Sequence, residues 1–296
     1  MQKSTSLFLI LYSVVALIFF SCVPQKQVTS TKQQLTVIDS DLQQHSNNLK
    51  SLDQKRQNKK DENEIDDTAS YRLKNFIGQT NTEIDKIVAQ NTILIGNTAV
   101  NKDDWNRLQA ALTVSKSTSK LIGDKVALID ELINRNTVIK LEQDLIFGSG
   151  QYVLSPFNAN IISKVFAPAT KEIDYFIKKY PDFSLSLVIT ARGYADATTI
   201  SENSGLYKNL QERLKMSGKP PTSEDLNKEL SSARAESVIK LLKTFSISKS
   251  ADGNDIKVLH LYEGKGDKFP DPKITDYKAD DPRRRIVLLF WSLFPD

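Results

Sequence analysis

The stretch Asn227-Lys228-Glu229-Leu230-Ser231-Ser232-Ala233-Arg234-Ala235-Glu236-Ser237-Val238 decides how the second half of this 296-residue chain is read. It lies within residues 222–245, which open with Thr222 and Asp225 at the spacing of a capping box. The segment continues as an amphipathic helix through Val238, Leu241 and Leu242. On its amino side, residues 185–191 form an apolar run that reads as a strand; on its carboxyl side, 256–262 and 286–291 read as two more. Further upstream, 141–147 reads as another strand, followed by the turn residues Gly148-Ser149-Gly150. Ser155-Pro156 then sets a capping hydroxyl ahead of a proline at the first helical position. Pro168 predicts a break there and a second helix with Ile173, Phe176 and Ile177 on one face, ending at Tyr180-Pro181. Strands alternating with helices after Ile139 imply a sheet with helices packed against it.

Between Gln25 and Ile139 the composition is polar and rich in Gln, Asn, Lys and Asp, with no proline and only Gly78, Gly96 and Gly123 as breakers. That pattern is helical. Leu35, Leu42 and Leu49 recur every seven residues, with Ile38, His45 and Leu52 interleaved as in a coiled-coil seam. The seam stops at the charged run 54–64, so a helical hairpin fits it as well as a long coiled coil. Apolar stripes resume at Leu73, Phe76, Ile77, Ile84, Ile87 and Val88, then at Trp105, Leu108 and Leu112, then at Ile122, Val126, Ile129 and Ile133. Asn101 followed by Asp103 and Asp104 reads as a helix start. Three or four helices folding back on one another bury these faces. Such a bundle serves equally as a spacer, as a docking surface for other proteins or as a plain helical domain, because periodicity reports packing rather than partners.

The amino terminus carries Lys3, an apolar run at 7–20 broken only by Tyr12 and Ser13, and then Ser21-Cys22. At roughly 1.5 Å per residue the run reaches about 21 Å, short of the roughly 30 Å hydrocarbon core of a bilayer. It reads as a lipoprotein signal in which Cys22 is acylated and becomes the first residue of the mature chain. Cys22 is the sole cysteine, so no internal disulfide can form. Acyl chains stabilise membrane attachment by about 0.8 kcal/mol per buried methylene, enough with several chains to anchor the protein. No Asp follows Cys22, which points to an outer membrane, with the protein facing the periplasm. The organisation expected is a signal peptide at 1–21, a linker at 22–34, a helical spacer domain at 35–139 and a second domain at 140–296.

A net charge of +4 from 40 basic and 36 acidic residues concentrates no basic face, which argues against nucleic acid as a partner. The two histidines, His45 and His260, lie in segments with no matching acid or nucleophile. The chain therefore reads as a non-enzyme with no cofactor and no metal centre.

Short motifs at the junctions of the second half resemble the OmpA-like domain of peptidoglycan-associated lipoproteins and flagellar stator proteins, over about residues 141–294. Phe147-Gly148-Ser149 with Leu154-Ser155-Pro156 resembles the opening strand and helix start. Gly193-Tyr194-Ala195-Asp196 looks like the Gly-His-Thr-Asp turn, and residues 227–238 match the Asn-x-x-Leu-Ser-x-x-Arg-Ala-x-x-Val helix at every specified position. Gly264-Lys265-Gly266-Asp267 with Pro270 resembles the Gly-x-Gly-Glu-x-x-Pro loop, and Arg283-Arg284-Arg285-Ile286 the entry to the last strand. The fold class implied is α+β: a helical bundle or coiled coil, then an OmpA-like β/α sandwich with a mixed sheet and helices on one face.

The resemblance also implies a ligand, the diaminopimelate side chain of the peptidoglycan stem peptide, gripped by Asp196 and Arg234. Its free end is a zwitterion, so a carboxylate suits its ammonium and a forked guanidinium its carboxylate. Asn227, seven residues before Arg234, lies on the same helical face and can add a hydrogen bond. An Asp that only caps a helix or pairs with Arg234 is the structural alternative. The sequence departs from the family in Tyr194 and Ala195, which replace polar residues, and in an insertion at about 198–226 that reads as a lid, a partner surface or a plug. A peptidoglycan tether, a ligand-free envelope scaffold and an enzyme are the three classes to separate; the sequence supplies no nucleophile and base for the third.

Overall fold

A computed structural model describes residues 24–135, 138–142, 146–148, 150–215, 219–250 and 256–295, so the signal segment and Cys22 lie outside the described residues. The chain divides into two compact units, one of Met1–Asp53 with Asn75–Asp130 and the other of Gln54–Lys74 with Glu131–Asp296. The unit boundaries fall within three long helices, α1 (Gln25–Asp61), α2 (Asp67–Gly96) and α3 (Lys102–Asn134). Among the described residues, no helix is long and apolar enough to cross a membrane.

In the first unit, the seam of α1 is buried as its spacing predicts, with Leu35, Leu42 and Leu49 fully enclosed, as are Ile84, Leu108 and Ile122 of the other two helices. Residues 25–34, read from sequence as linker, are instead the first turns of α1. The reason is apolar: Val28 joins Leu35 and Leu108 in one cluster with Leu94, Ile95, Trp105 and Leu112 packed against it. The start of α3 is fixed by reciprocal bonds, Asp104 N–H to Asn101 Oδ1 (2.9 Å) and Asn101 N–H to Asp104 Oδ2 (3.3 Å). A polar layer lies among the apolar ones, where Asn91 donates to Asp39 (2.6 Å) and accepts from the hydroxyl of Ser115 (3.0 Å). Such a layer favours a single register among the helices.

Among the described residues, the second unit is built on four strands, β1 (Val138–Glu142), β2 (Leu185–Gly193), β3 (Lys257–Gly264) and β4 (Ile286–Pro295), in the order β1-β4-β2-β3. Only β2 and β3 run parallel, so their connection must cross over the sheet. Helices α4 (Pro156–Lys179), α5 (Gly205–Leu214) and α6 (Ser223–Ser250) complete the unit, and α6 lies on this crossover. All nine residues of β2 are buried, which requires both faces of the sheet to be covered. Gly193 and the other odd-numbered residues of β2 face α6, since a Cβ on Gly193 would meet Ser231. Arg192, on the even face, reaches Asp67 (3.0 Å), and on the same face Arg72 stands over the Phe294 ring (5.7 Å). Helical residues therefore occupy both faces rather than one: Gln54–Lys74, the last turns of α1, the intervening turn and the start of α2, belong to this unit.

Two local expectations are corrected. The first strand is Val138–Glu142 rather than 141–147, because its partners run from Val138 opposite Phe290 to Glu142 opposite Ile286. Ile146 and Phe147, read as part of it, are buried by packing outside the strand. Pro168 does not divide its helix. Ile162, Phe166, Ala169, Ile173 and Phe176 form one unbroken buried stripe along α4, while Pro168 itself is exposed. Burial of that stripe outweighs the hydrogen bond a proline cannot donate. The cap at Ser155, whose hydroxyl accepts from Asn158 N–H (3.2 Å), is as predicted.

Candidate ligand-binding site

At the carboxyl end of β2 the chain turns through Tyr194, Ala195 and Asp196, and the amino-terminal half of α6 presents Asn227 and Arg234 to the same place. A single cleft of about 650 Å³ is lined by Phe147, Asp196, Asn227, Leu230, Arg234 and Arg285, among others. The three residues singled out from sequence are thus brought together from two distant segments. All three are buried, at 8% (Asp196), 3% (Asn227) and 6% (Arg234) exposure, so each polar group needs an internal partner or a ligand.

Two glycines make this convergence possible. A Cβ on Gly193 would lie 2.0 Å from Ser231 O, and one on Gly264 would lie 2.3 Å from Lys228 O. Gly193 and Gly264 are direct partners across β2 and β3, so the pair forms a seat on which the backbone of α6 rests. The amino end of α6 is set by Thr222 and Asp225, which bond reciprocally through Asp225 N–H to Thr222 Oγ1 (3.2 Å) and Thr222 N–H to Asp225 Oδ2 (3.0 Å). Ser231, next to the seat, accepts from Gly266 N–H (3.0 Å) and ties the helix to the following loop.

Each site residue makes a specific contact. Asp196 accepts from the backbone N–H of Thr198 (3.1 Å), from the Thr198 hydroxyl and from Arg285 Nη1 (3.1 Å). The Asp196–Arg234 pairing weighed as the structural alternative is replaced by an Asp196–Arg285 ion pair. Arg234 donates from Nε to Gln151 O (3.0 Å) and lies over the Phe147 ring at 5.6 Å, which fixes the plane of its guanidinium. Asn227 donates to Thr198 O (3.3 Å) and so holds the turn that follows Asp196. One carboxylate, Asp196, and two guanidinium groups, Arg234 and Arg285, are among the lining residues.

Arg285 is the residue sequence reasoning missed. It belongs to a run of three arginines that point to three different partners. Arg283 forks onto Asp281, Arg284 donates to the carbonyls of Lys278 and Asp267, and Arg285 meets Asp196. The Arg283 contact holds the Asp281 carboxyl well below the usual carboxylate range. A run of like residues gives no sign of which member faces a cleft. Tyr194 is not a cleft residue either: it packs with Leu288 and Phe290, and burial pushes its phenol up, keeping it neutral.

The insertion contributes α5, whose Tyr207 and Leu210 join Leu226 and Leu230 of α6 in a small core with Tyr152, Ile200, Leu206 and Leu214 against it. Arg213 on α5 pairs with Glu229 (2.7 Å) and Glu236 (2.9 Å) of α6. Ile200, Ser204 and Leu206 line the cleft, so the insertion supplies part of its wall. Among the described residues, no group of three or more His, Cys, Asp or Glu is placed to hold a metal ion. No protein-family model matches the sequence, and no curated protein matches it.

Proposed function

We propose that this chain is a lipid-anchored envelope protein that ties an outer membrane to peptidoglycan without a covalent bond. In this reading Cys22 carries the lipid, the helices act as a spacer, and the second unit is an OmpA-like domain that takes the diaminopimelate end of a stem peptide. The observation that carries it is the meeting of Asp196, Asn227 and Arg234 on one cleft, where a carboxylate and a guanidinium, the two groups that suit a zwitterion, line the same space. The motif-bearing α6, crossing between the parallel strands and seated on Gly193 and Gly264, supports the finer assignment of the fold.

A second reading, a ligand-free envelope scaffold, draws on the Asp196–Arg285 pair and the Asn227–Thr198 bond, which satisfy the site from within. Binding of diaminopimelate-containing muropeptides to wild type, Asp196→Ala, Arg234→Ala and the double mutant separates the two. Each single change is expected to weaken binding by on the order of 2 kcal/mol, and the double by little more than the worse single, because both act on one ligand. Folded wild-type protein, verified by a thermal melt, that binds no muropeptide rejects the tether in favour of the scaffold.

A further inference from the structure

Asp196 sits in a turn that is held from outside on both flanks. Ala195 N–H donates to Gly266 O and Ala197 N–H donates to Ala279 O, each at 2.7 Å. Both acceptors belong to the segment 265–281, which is braced internally by Phe269 stacked on Tyr277 (4.9 Å) and by Arg284 over the Phe269 ring (5.1 Å). That segment is pinned in turn by the connection between α1 and α2. Asn63 Nδ2 donates to Pro270 O (3.1 Å), and Lys273 pairs with Glu62 (2.8 Å). Asn63 also accepts from Arg192 Nη1 (3.4 Å), four residues before Asp196 on the same strand path, and Arg192 is gripped by Asp67 (3.0 Å).

The backbone of Asn63 is left-handed, at φ 56°, a conformation that asparagine tolerates better than most residues with a Cβ. Its amide therefore bridges two routes to the same carboxylate, one through the loop and one through the strand. Arg56 on α1 donates to Ser70 on α2 and closes the base of this connection, and the buried Asp66 caps α2 by accepting from Thr68 N–H (2.9 Å) and Ala69 N–H (3.1 Å).

We propose that Asn63 is a positioning residue for the ligand cleft: the α1–α2 turn holds the 265–281 loop, and the loop holds Asp196. Its functional consequence rests on the reading of that cleft as the ligand site, whereas the physical coupling does not. Backbone support of this kind sets the direction of a carboxylate without touching the ligand, and coupling between the turn and the cleft runs equally in both directions.

The test uses the full chain with Asn63→Gly, which keeps the left-handed backbone and removes only the side-chain bonds. Native-state hydrogen exchange is read at Ala195 and Ala197, with Leu289 and Leu141 in the β1–β4 pair as controls. Exchange at Ala195 and Ala197 is expected to rise on the order of tenfold with the controls unchanged. Affinity for a diaminopimelate muropeptide is expected to fall several-fold, and saturating muropeptide should slow exchange at residues 62–67 in the wild type. If Asn63→Gly fails to fold, Asn63→Asp, which keeps the acceptor for Arg192 but loses the donor to Pro270, carries the same comparison. Unchanged exchange at both amides in a folded variant overturns the proposal. Faster exchange in a protein whose wild type binds no muropeptide upholds the coupling and rejects the ligand assignment instead.

Discussion

Gly193 and Gly264 show how two missing side chains place a binding cleft. A methyl group at Gly264 would stand 2.3 Å from Lys228 O and 2.6 Å from Ser232 N, both backbone atoms that no rotamer change can move. Gly264→Ala must therefore lift α6 away from the sheet. We expect a loss of about 2 to 4 kcal/mol in a denaturant melt, together with weakened muropeptide binding, because Asn227 and Arg234 ride on the displaced helix. Equal stability for Gly264→Ala and wild type would mean the helix has another seat. Both glycines were visible in the sequence as parts of turn motifs. Their pairing across the sheet was not, since it depends on a parallel register between strands that lie far apart in the chain. The same limit hid Arg285: its partner Asp196 is 89 residues away, and no local pattern ranks it above Arg283 or Arg284.

The elements of the second unit were legible where the signal is local. The hydroxyl caps at Ser155 and Thr222 sit where their sequence patterns put them, because capping is a contact between residues three apart. Pro168 misled because its local rule competes with a tertiary one, the buried stripe of α4. Its ring is exposed, so Pro168→Ala removes no core contact and restores a backbone donor in mid-helix. The expected result is a gain on the order of 1 kcal/mol, seen as a higher melting temperature; a lower one would show that the proline stabilises the fold in spite of the missing donor. β1 was displaced for a related reason: an apolar run reports burial, but register is chosen by the partner strand, here β4.

For the whole molecule the sequence pattern was a good guide to fold class, helices first and a mixed sheet after, and a poor guide to where one unit stops. Residues 54–64 look like a charged interruption of a coiled-coil seam, yet with the turn and the start of α2 they belong to the unit that holds the sheet. Charge that appears solvated in one dimension is partly used in three, as with Glu62 on Lys273 and Asp67 on Arg192. At this scale the anchor proposal makes its own prediction. Cys22→Ser should leave an unprocessed or soluble protein in cell fractionation, and unaltered membrane partition with normal processing would sink it.

The strand order carries one more consequence, for how the chain acquires its structure. β4 pairs with both β1 and β2, yet it is the last strand in sequence, and the contacts from Asn63 to Pro270 and from Glu62 to Lys273 span 207 and 211 residues. During synthesis, then, β1 and β2 have no common neighbour until residues 286–295 emerge, and the turn at residues 62–67 lacks its contacts to Pro270 and Lys273 until that loop has been made. Loop closure over such distances precedes any gain from pairing, so the second unit forms late and all together rather than strand by strand. Any chain cut short before Ile286 splits the sheet into unpaired halves with open edges, the kind of species that aggregates or is degraded rather than one that binds weakly.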